Sequence, residues 1–459
     1  MRPHDTTPTL RSRIIRAGIW SLGGYVASQA LRLGSNLIMT RLLVPEMFGI
    51  MAVANVILVG LHLFSDIGLN QGVIQSRRGH DPVYLNTAWT VQILRGALLC
   101  LIALGIARSV DLAATSHWVP AGSVYADPIL PYVITVLAFN PLIGGFASTR
   151  LATANRRLAL GRITLIEIAS QTAALLFMIS WALVDRSIWA LVVGSLLAVL
   201  LKVVLSHTLL PGEANALRWD REAFREIFGF GKWIFLTSIL GFLAANGDRL
   251  LLGGLTDPAT LGLYAIAYFI VGALYDAFDK VASSVAFPAL SEVVRDRPQD
   301  LKNTYYKFRL PFDAMTLLVM GGLLSAGHLI VDVLYDDRYS AAGSMIGILG
   351  IMLFTVRYTL SGLCFLALGR PKLLVPITLS HTVLLFGLMP PIFGAYGFDG
   401  ALWVVGGSAV LSLPVILYLK MVNQLFDFWR EVMVLPLVPL GYALGLGLDT
   451  AASRVGWLQ

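Results

Sequence analysis

The chain has 459 residues, of which 57% are hydrophobic and 13% charged, and its mean hydropathy is +0.75. Soluble domains carry about 25% charged residues, so this composition excludes an ordinary soluble fold and predicts an integral membrane protein. The formal charge of +7 is tested against its distribution below, and the two cysteines, Cys100 and Cys364, both lie in apolar stretches, which excludes a disulfide framework or a cysteine-based metal site.

A membrane span needs about 20 mostly apolar residues. In chain order the predicted spans cover residues 16–40, 46–69, 85–107, 128–149, 160–184, 187–209, 231–255, 259–284, 310–334, 343–368, 372–394 and 397–419. Arg11, Arg13 and Arg16 precede the first. Its apolar run is too long for a signal-peptide core and has no small-residue cleavage site, so the helix is expected to be retained. A shorter stretch, 432–448, contains Pro436 and Pro439 and is a candidate thirteenth helix.

With the N-terminus placed in the cytoplasm, every even-numbered connection is basic. Arg77 and Arg78, then Arg150, Arg156, Arg157 and Arg162, then Arg218, Arg221, Arg225 and Lys232 mark the inner side, and Arg295, Arg297, Lys302, Lys307, Arg309, Arg370, Lys372, Lys420 and Arg430 continue it. The outer side holds only Arg41, Arg108, Arg186, Arg338 and Arg454. The positive charge is therefore an orientation signal, and no nucleic-acid partner is expected. Within the inner connection 210–230, Trp219, Phe224, Ile227 and Phe228 alternate with charged residues, which predicts an amphipathic helix lying on the inner leaflet.

The chain repeats itself. RLLVPEMFGIMAVANVILVGLHLFSD, ending at Asp66, returns as GLTDPATLGLYAIAYFIVGALYDAFD, ending at Asp279. Pro45 meets Pro258 (258 − 45 = 213), and at the same offset Gly49 meets Gly262, Asp66 meets Asp279, Arg157 meets Arg370 and Gly194 meets Gly407. The middle of each half shows no register. The expectation is an all-α polytopic membrane protein: a six-helix bundle over 1–209, a cytoplasmic linker over 210–230, a second six-helix bundle over 231–420, and a C-terminal extension over 421–459. Parallel repeats of this kind are related by a pseudo-two-fold axis along the membrane normal, with the substrate site expected at their interface.

Ionisable groups inside spans are costly and mark functional candidates. The basic ones are Arg32, Arg95, Arg249, Lys280 and Arg357; the acidic ones are Asp66, Glu167, Asp248, Asp276, Asp279 and Asp313; His62, His328 and His381 add titratable sites. Arg249 less the repeat offset falls on Asn36, one turn after Arg32, so the two arginines lie on equivalent helices within about 6 Å of the same depth. Arg95 and Arg357 fall near the middle of their spans. Buried guanidinium in excess over nearby carboxylate suits a phosphate-bearing substrate, which Arg grips bidentately. The bland reading of Arg249 is a pairing with Asp248. Glu167 and His381 sit at similar depth in equivalent helices and, with Asp248, are the candidates for proton uptake. There is no Walker A sequence, no HExxH and no loop large enough for a catalytic domain, so neither ATP hydrolysis nor an enzyme is expected, and no cofactor or metal.

MTRLLVPEMFGIMAVA after an arginine-bearing first helix, then DIGLNQGVIQ, then GDRLLLGGLTDPATLGLYAIAY with SSVAFPALSEV, resembles the polysaccharide transporter (oligosaccharide flippase, Wzx-type) family. That family belongs to the multidrug/oligosaccharidyl-lipid/polysaccharide (MOP) exporter superfamily. The resemblance spans roughly residues 10–420. It implies a bacterial inner-membrane protein that moves polyprenyl-pyrophosphate-linked oligosaccharide from the cytoplasmic to the periplasmic leaflet by alternating access. It also implies membrane lipid and polysaccharide polymerase or export machinery as partners, and a basic cavity in which Arg32 and Arg249 are the first choice. Two other readings stay open: a drug/cation antiporter of the same superfamily, which would favour a carboxylate-rich cavity, and a non-transporting scaffold of a polysaccharide assembly complex.

Overall fold

The computed structural model describes residues 10–65, 69, 73, 76, 78–157 and 159–454, with the side chains of 10–19, 21, 22 and 228–237 excepted. Asp66 lies outside the described residues. Among these residues the regular structure is helical throughout. The chain divides into two units: Met1–Leu43, Ala54–Ala121 and Tyr125–Ile239 form the first, and Val44–Val53, Gly122–Val124 and Leu240–Gln459 the second.

The first unit is built from α1 (Leu10–Leu42), most of α2 (Pro45–Phe64), α3 (Pro82–Thr115), α4 (Leu130–Leu137), α5 (Phe139–Gly145), α6 (Arg150–Arg156), α7 (Leu160–Val184) and α8 (Trp189–Thr208). The fourth span is broken: Leu130–Gly145 and Arg150–Arg156 meet at a bend of 60°. α9 (Arg221–Leu255) starts in the first unit and finishes in the second. The second unit continues with α10 (Pro258–Asp296), α11 (Leu301–Leu334), α12 (Ala342–Gly350), α13 (Leu353–Val356), α14 (Thr359–Ala367), α15 (Leu374–Leu411), α16 (Leu413–Val422), α17 (Phe428–Val432) and α18 (Leu437–Arg454). Among the described residues nine helices are long and apolar enough to cross a membrane, or ten with the bent pair as one span. That count takes Pro371–Val422 as one helix, whereas α15 is interrupted at Gly397, whose φ of 64° and ψ of −153° no helix contains. The two rods on either side of Gly397 match the eleventh and twelfth predicted spans. A positive φ of this kind is one that glycine adopts without steric cost.

The internal repeat is visible in the helix ends. α1 and α9 end at Leu42 and Leu255, α2 and α10 start at Pro45 and Pro258, and short 3₁₀ turns lie at Val124–Ala126 and Asp337–Tyr339, all at the offset of 213. α7 ends at Val184 where α15 breaks at Gly397, again 213 residues on. α3 and α11 are the exception. They start at Pro82 and Leu301 (301 − 82 = 219) and end at Thr115 and Leu334, also 219 apart. Six additional residues precede α11, and the connection after it is six shorter. That local shift is why the middle of each half shows no register in the sequence.

Local chemistry sets these starts. α3 opens with Asp81 at the N-cap, accepting the Val83 N–H at 2.9 Å, and Pro82 in the first turn. α10 opens with Asp257 accepting from the Thr260 N–H at 3.0 Å, followed by Pro258. Proline fits the first turn because its missing N–H would have no partner there. In the second unit the starts of α2 and α10 touch: a Cβ on Gly49 would collide with the Pro258 carbonyl oxygen, and one on Gly262 with that of Pro45. The repeated Pro-Glu-Met-Phe-Gly and Pro-Ala-Thr-Leu-Gly thus carry glycine where two backbones meet.

One sequence expectation changes here and another is met. Residues 211–220 are not helical, and the helix from Arg221 is the opening of α9, continuous with it. Its Ala223 and Ile227 are buried against Leu69, Val73, Tyr84, Ala88, Val91 and Ala152 in the first unit, with Phe224 partly buried on the same cluster, so this part of the predicted apolar face packs on protein, while Trp219 stays exposed. The 432–448 stretch does form a helix, α18, docked on α11, where Ser325 donates to the Tyr442 carbonyl at 2.8 Å.

Candidate functional site

Among the described residues, polar side chains gather within otherwise apolar helices, and three of these groups bear on the site. The first belongs to α1, α7 and α8 of the first unit. α1 and α7 run side by side in the same direction, with Trp20 against Gly161 and Ser28 donating to Gln171 Oε1 at 2.9 Å. Arg32, one turn beyond Ser28 on the same face, is exposed. On α7, Thr164, Glu167 and Gln171 follow one another at helical spacing. Glu167 accepts from Lys202 Nζ of α8 at 3.0 Å, with the two side chains 44% and 43% exposed. At about 100° per residue this polar line is on the opposite side of α7 from the exposed Leu165, Leu176 and Leu183. Lys202 likewise lies opposite the exposed Leu200 and Val204. The apolar sides of both helices suit lipid, and the other sides carry the charges.

The second group is in the second unit on α9, α10 and α15. Asp248, 4% exposed, accepts the Tyr264 hydroxyl. Arg249 stacks its guanidinium 3.9 Å from the Tyr268 ring centroid and donates to Asn246 Oδ1 at 3.2 Å. Tyr264 and Tyr268 are four apart on α10, so one helix face receives both neighbouring charges. His381 Nε2 is 3.1 Å from Ser408 Oγ, joining the two rods of α15. In each unit a polar bridge therefore links the fifth and sixth spans: Glu167 with Lys202 in one, His381 with Ser408 in the other.

The third group is a buried ionic network at the start of α11. Glu431 on α17 accepts from Arg309 and Lys420, from the Tyr306 hydroxyl at 2.9 Å and from the Tyr358 hydroxyl at 3.4 Å. Its carbonyl accepts from Arg357 Nη2 at 2.9 Å. Asp313 Oδ2 lies 2.8 Å from Arg357 Nη2 and 3.1 Å from Arg309 Nε. Arg309, Asp313 and Lys420 are 0% exposed and Arg357 1%. Three basic side chains thus meet two carboxylates, and they also lie over tyrosine faces, with Arg309 4.7 Å from the Tyr358 ring and Lys420 5.0 Å from that of Tyr305. The break between α13 and α14 turns Arg357 inward to Asp313.

The sequence-predicted residues fare differently. Arg32 is exposed on the polar side of α1, and Glu167 is half-exposed with a lysine partner. Arg249 and Asp248 are tied to separate tyrosines of α10. Arg95 donates to the His62 carbonyl at 2.7 Å and to Ser65 Oγ at 2.9 Å, so it neutralises the C-terminal end of α2. Arg357 does not present its charge to a substrate path: buried carboxylates meet it on both sides. Arg309 and Lys420, read from the sequence as inner-surface charges, are inside the protein as well. Sequence reasoning missed Glu431 and Lys202. The spacing of Arg309 and Asp313, one helical turn apart, was the available sign of the network, and Lys202, a charge inside the predicted span 187–209, carried the same sign as the other charges within spans. A cavity of about 180 Å³ at the basic end of the first unit is lined by His80, Asn86, Thr149, Arg150, Arg157 and Asn215 among others. Arg150 there donates to the carbonyls of His207, Leu210 and Glu213 and so fixes the loop after α8.

Comparison with known proteins matches residues 38–343 to a family described as polysaccharide biosynthesis protein. The chain belongs to that family. This polysaccharide biosynthesis protein is 22% identical to the lipopolysaccharide biosynthesis protein WzxC of Escherichia coli K12, over 96% of this chain and 89% of the relative. It is 21% identical to a putative O-antigen transporter of Shigella flexneri, over 84% and 93%. Its fold is shared with the lipid II flippase MurJ in an inward closed conformation, with a TM-score of 0.66 at 12% identity over 95% of this chain and 99% of that one. An inward-facing multidrug resistance MATE transporter of the MOP superfamily gives 0.63 at 14% identity over 86% and 94%. The protein is thus a multi-pass membrane protein of the polysaccharide biosynthesis family with a MOP-superfamily fold.

Proposed function

We propose that the protein is a flippase for polyprenyl-pyrophosphate-linked oligosaccharide, moving repeat units from the cytoplasmic to the periplasmic leaflet of a bacterial inner membrane. It works by alternating access and does no covalent chemistry on its substrate. The observation that carries this reading is the polar line along α1, α7 and α8, set opposite the lipid-suited leucines and including the exposed Arg32. A pyrophosphate headgroup brings about two negative charges into a hydrocarbon layer about 30 Å thick, so its carrier must offer a positive, wet path. Arg32 sits ten residues from the end of α1, roughly 15 Å along the axis and hence near mid-membrane. Family membership supports the substrate class, as do relatives named for lipopolysaccharide biosynthesis and O-antigen transport.

Within this reading Arg32, on the polar side of α1 in the first unit, is the first contact for the headgroup, and Arg249, presented by Tyr268, is the candidate that the second unit offers by itself. Arg95, which holds the C-terminal end of α2, is a weaker candidate contact. Glu167 is the candidate for taking up a coupling proton that stays open to solvent, its side chain 44% exposed beside Lys202, whereas Asp248 is buried against Tyr264. The basic loops support a cytoplasmic N-terminus. The test is removal of the protein from its host: pyrophosphate-linked oligosaccharide should then accumulate on the inner leaflet. Continued appearance of that lipid on the outer leaflet at an unchanged rate would contradict the proposal.

A further inference from the structure

We infer that Lys202 is a second phosphate ligand of the first unit, held in reserve by Glu167 and released to the substrate by exchange of ion-pair partners. The inference rests on the proposed flippase function and concerns a residue on which neither the family nor the fold comparison bears.

Depth comes first. Glu167 is seven residues into α7 and Lys202 six residues before the end of α8, so both lie roughly 10 Å along their helices from the same, basic end. Charges at that depth face lipid only at high cost and are ordinarily directed to a cavity or to each other. Here both apply. The two groups pair at 3.0 Å, yet each side chain stays more than two-fifths exposed. That exposure is on the side of α7 and α8 away from Leu165, Leu176, Leu183, Leu200 and Val204, and so away from lipid.

Strength comes next. An ion pair this open is weak, because solvent screens it and the long side chains keep other conformers. The contrast with Arg309, Asp313, Arg357, Lys420 and Glu431 is direct: that network is buried, with Arg309 and Arg357 against Asp313 and Arg309 and Lys420 against Glu431, and an anion arriving there finds no access. The Lys202 ammonium has one carboxylate at hydrogen-bond distance and three donors to give. A doubly charged pyrophosphate outcompetes a single carboxylate for it. The same polar side of the unit carries Ser28, Gln171 and the exposed Arg32, a turn or two deeper along α1 and α7. A headgroup entering from the basic end therefore meets Lys202 before Arg32. Glu167 prevents Lys202 from holding other anions when no substrate is present, and it re-forms the pair as the headgroup moves on.

The experiment measures binding of farnesyl pyrophosphate, with farnesol as the uncharged control, to the purified full chain in nanodiscs. Lys202→Ala should weaken farnesyl pyrophosphate binding about tenfold. Glu167→Gln, which removes the competitor and keeps the shape, should tighten it severalfold, and farnesol binding should stay unchanged in both. A purely structural pair would lower the melting temperature in both variants and leave both affinities alone, and that result overturns the exchange. Glu167→Gln carries the test by itself if Lys202→Ala does not fold, since a gain of affinity cannot come from misfolding. Wild-type protein that fails to bind the pyrophosphate probe saturably overturns the proposed function as a whole; wild-type binding with unaltered affinity in the variants overturns the role of Lys202 alone.

Discussion

Glu431 shows what one side chain does in this fold. It neutralises Arg309 and Lys420 and offers its carbonyl to Arg357, all from a segment beyond the twelfth predicted span. Removing one partner of a buried ion pair leaves the others charged and dry, at a cost of about 3–5 kcal/mol. Glu431→Gln should therefore lower the melting temperature of the purified protein sharply, whereas Glu167→Gln, at a half-exposed pair, should change it little. Equal melting temperatures for wild type and Glu431→Gln would show that the network is not a stabilising centre. Asp248 and Arg249 make a second residue-scale test. Asp248 bonds Tyr264 and Arg249 stacks on Tyr268, so Asp248→Asn with Arg249→Gln should recover only part of the stability lost in the two single changes; full mutual rescue would show that the two charges answer only each other. Among single residues the sequence showed that Arg32, Glu167 and Arg357 are charges inside spans. It could not show that Arg357 is answered by Asp313 and Glu431, because Glu431 lies 74 residues further on and only the chain fold brings it back.

Helix starts carry the element-scale chemistry. The Val83 N–H, and then the Arg78 guanidinium, hold the Asp81 carboxyl below the usual carboxylate range. A depressed folded value means that the cap's contribution is present above the ordinary carboxylate range, about pH 4, and is lost as pH falls through the lower folded value. Asp81→Ala should cost about 1 kcal/mol at neutral pH, and Asp81→Asn should keep the cap while removing its acid dependence. Thermal unfolding between pH 3 and pH 7 separates the two. Gly262→Ala puts a methyl group onto the Pro45 carbonyl and should destabilise by about 1–3 kcal/mol, as should Gly49→Ala against Pro258. Unchanged stability in both would mean that these helix starts part at no cost. The starts were legible in the sequence because proline, glycine and aspartate have specific turn roles. The amphipathic reading of 210–230 changes at Ala223 and Ile227 for a physical reason: an apolar stripe states only that something covers it, and here the cover includes Leu69, Val73 and Tyr84.

At the scale of the whole molecule, composition marks a membrane protein, the periodic basic loops predict its orientation, and the 213-residue repeat predicts one order of elements in the two halves, which the helix ends follow. The repeat could not be followed through α3 and α11 because six residues shift from the connection after the helix to the one before it. Cysteines introduced at Ser76, Ala159 or Gln299 should react with an impermeant maleimide only from the cytoplasm, and at Ala121 or Ser340 only from outside; labelling of Ser76 or Gln299 from outside would invert the orientation. The central claim is that a positive path carries a pyrophosphate headgroup past Arg32. It is tested most directly by reconstituting the purified protein in liposomes and timing the arrival of a pyrophosphate-linked lipid at the far leaflet. Wild-type protein should move it, Arg32→Lys should retain part of the rate because it keeps the charge but loses the bidentate fork, and Arg32→Ala, with an unchanged melting temperature, should lose at least tenfold. Transport by Arg32→Ala at the wild-type rate would contradict the account.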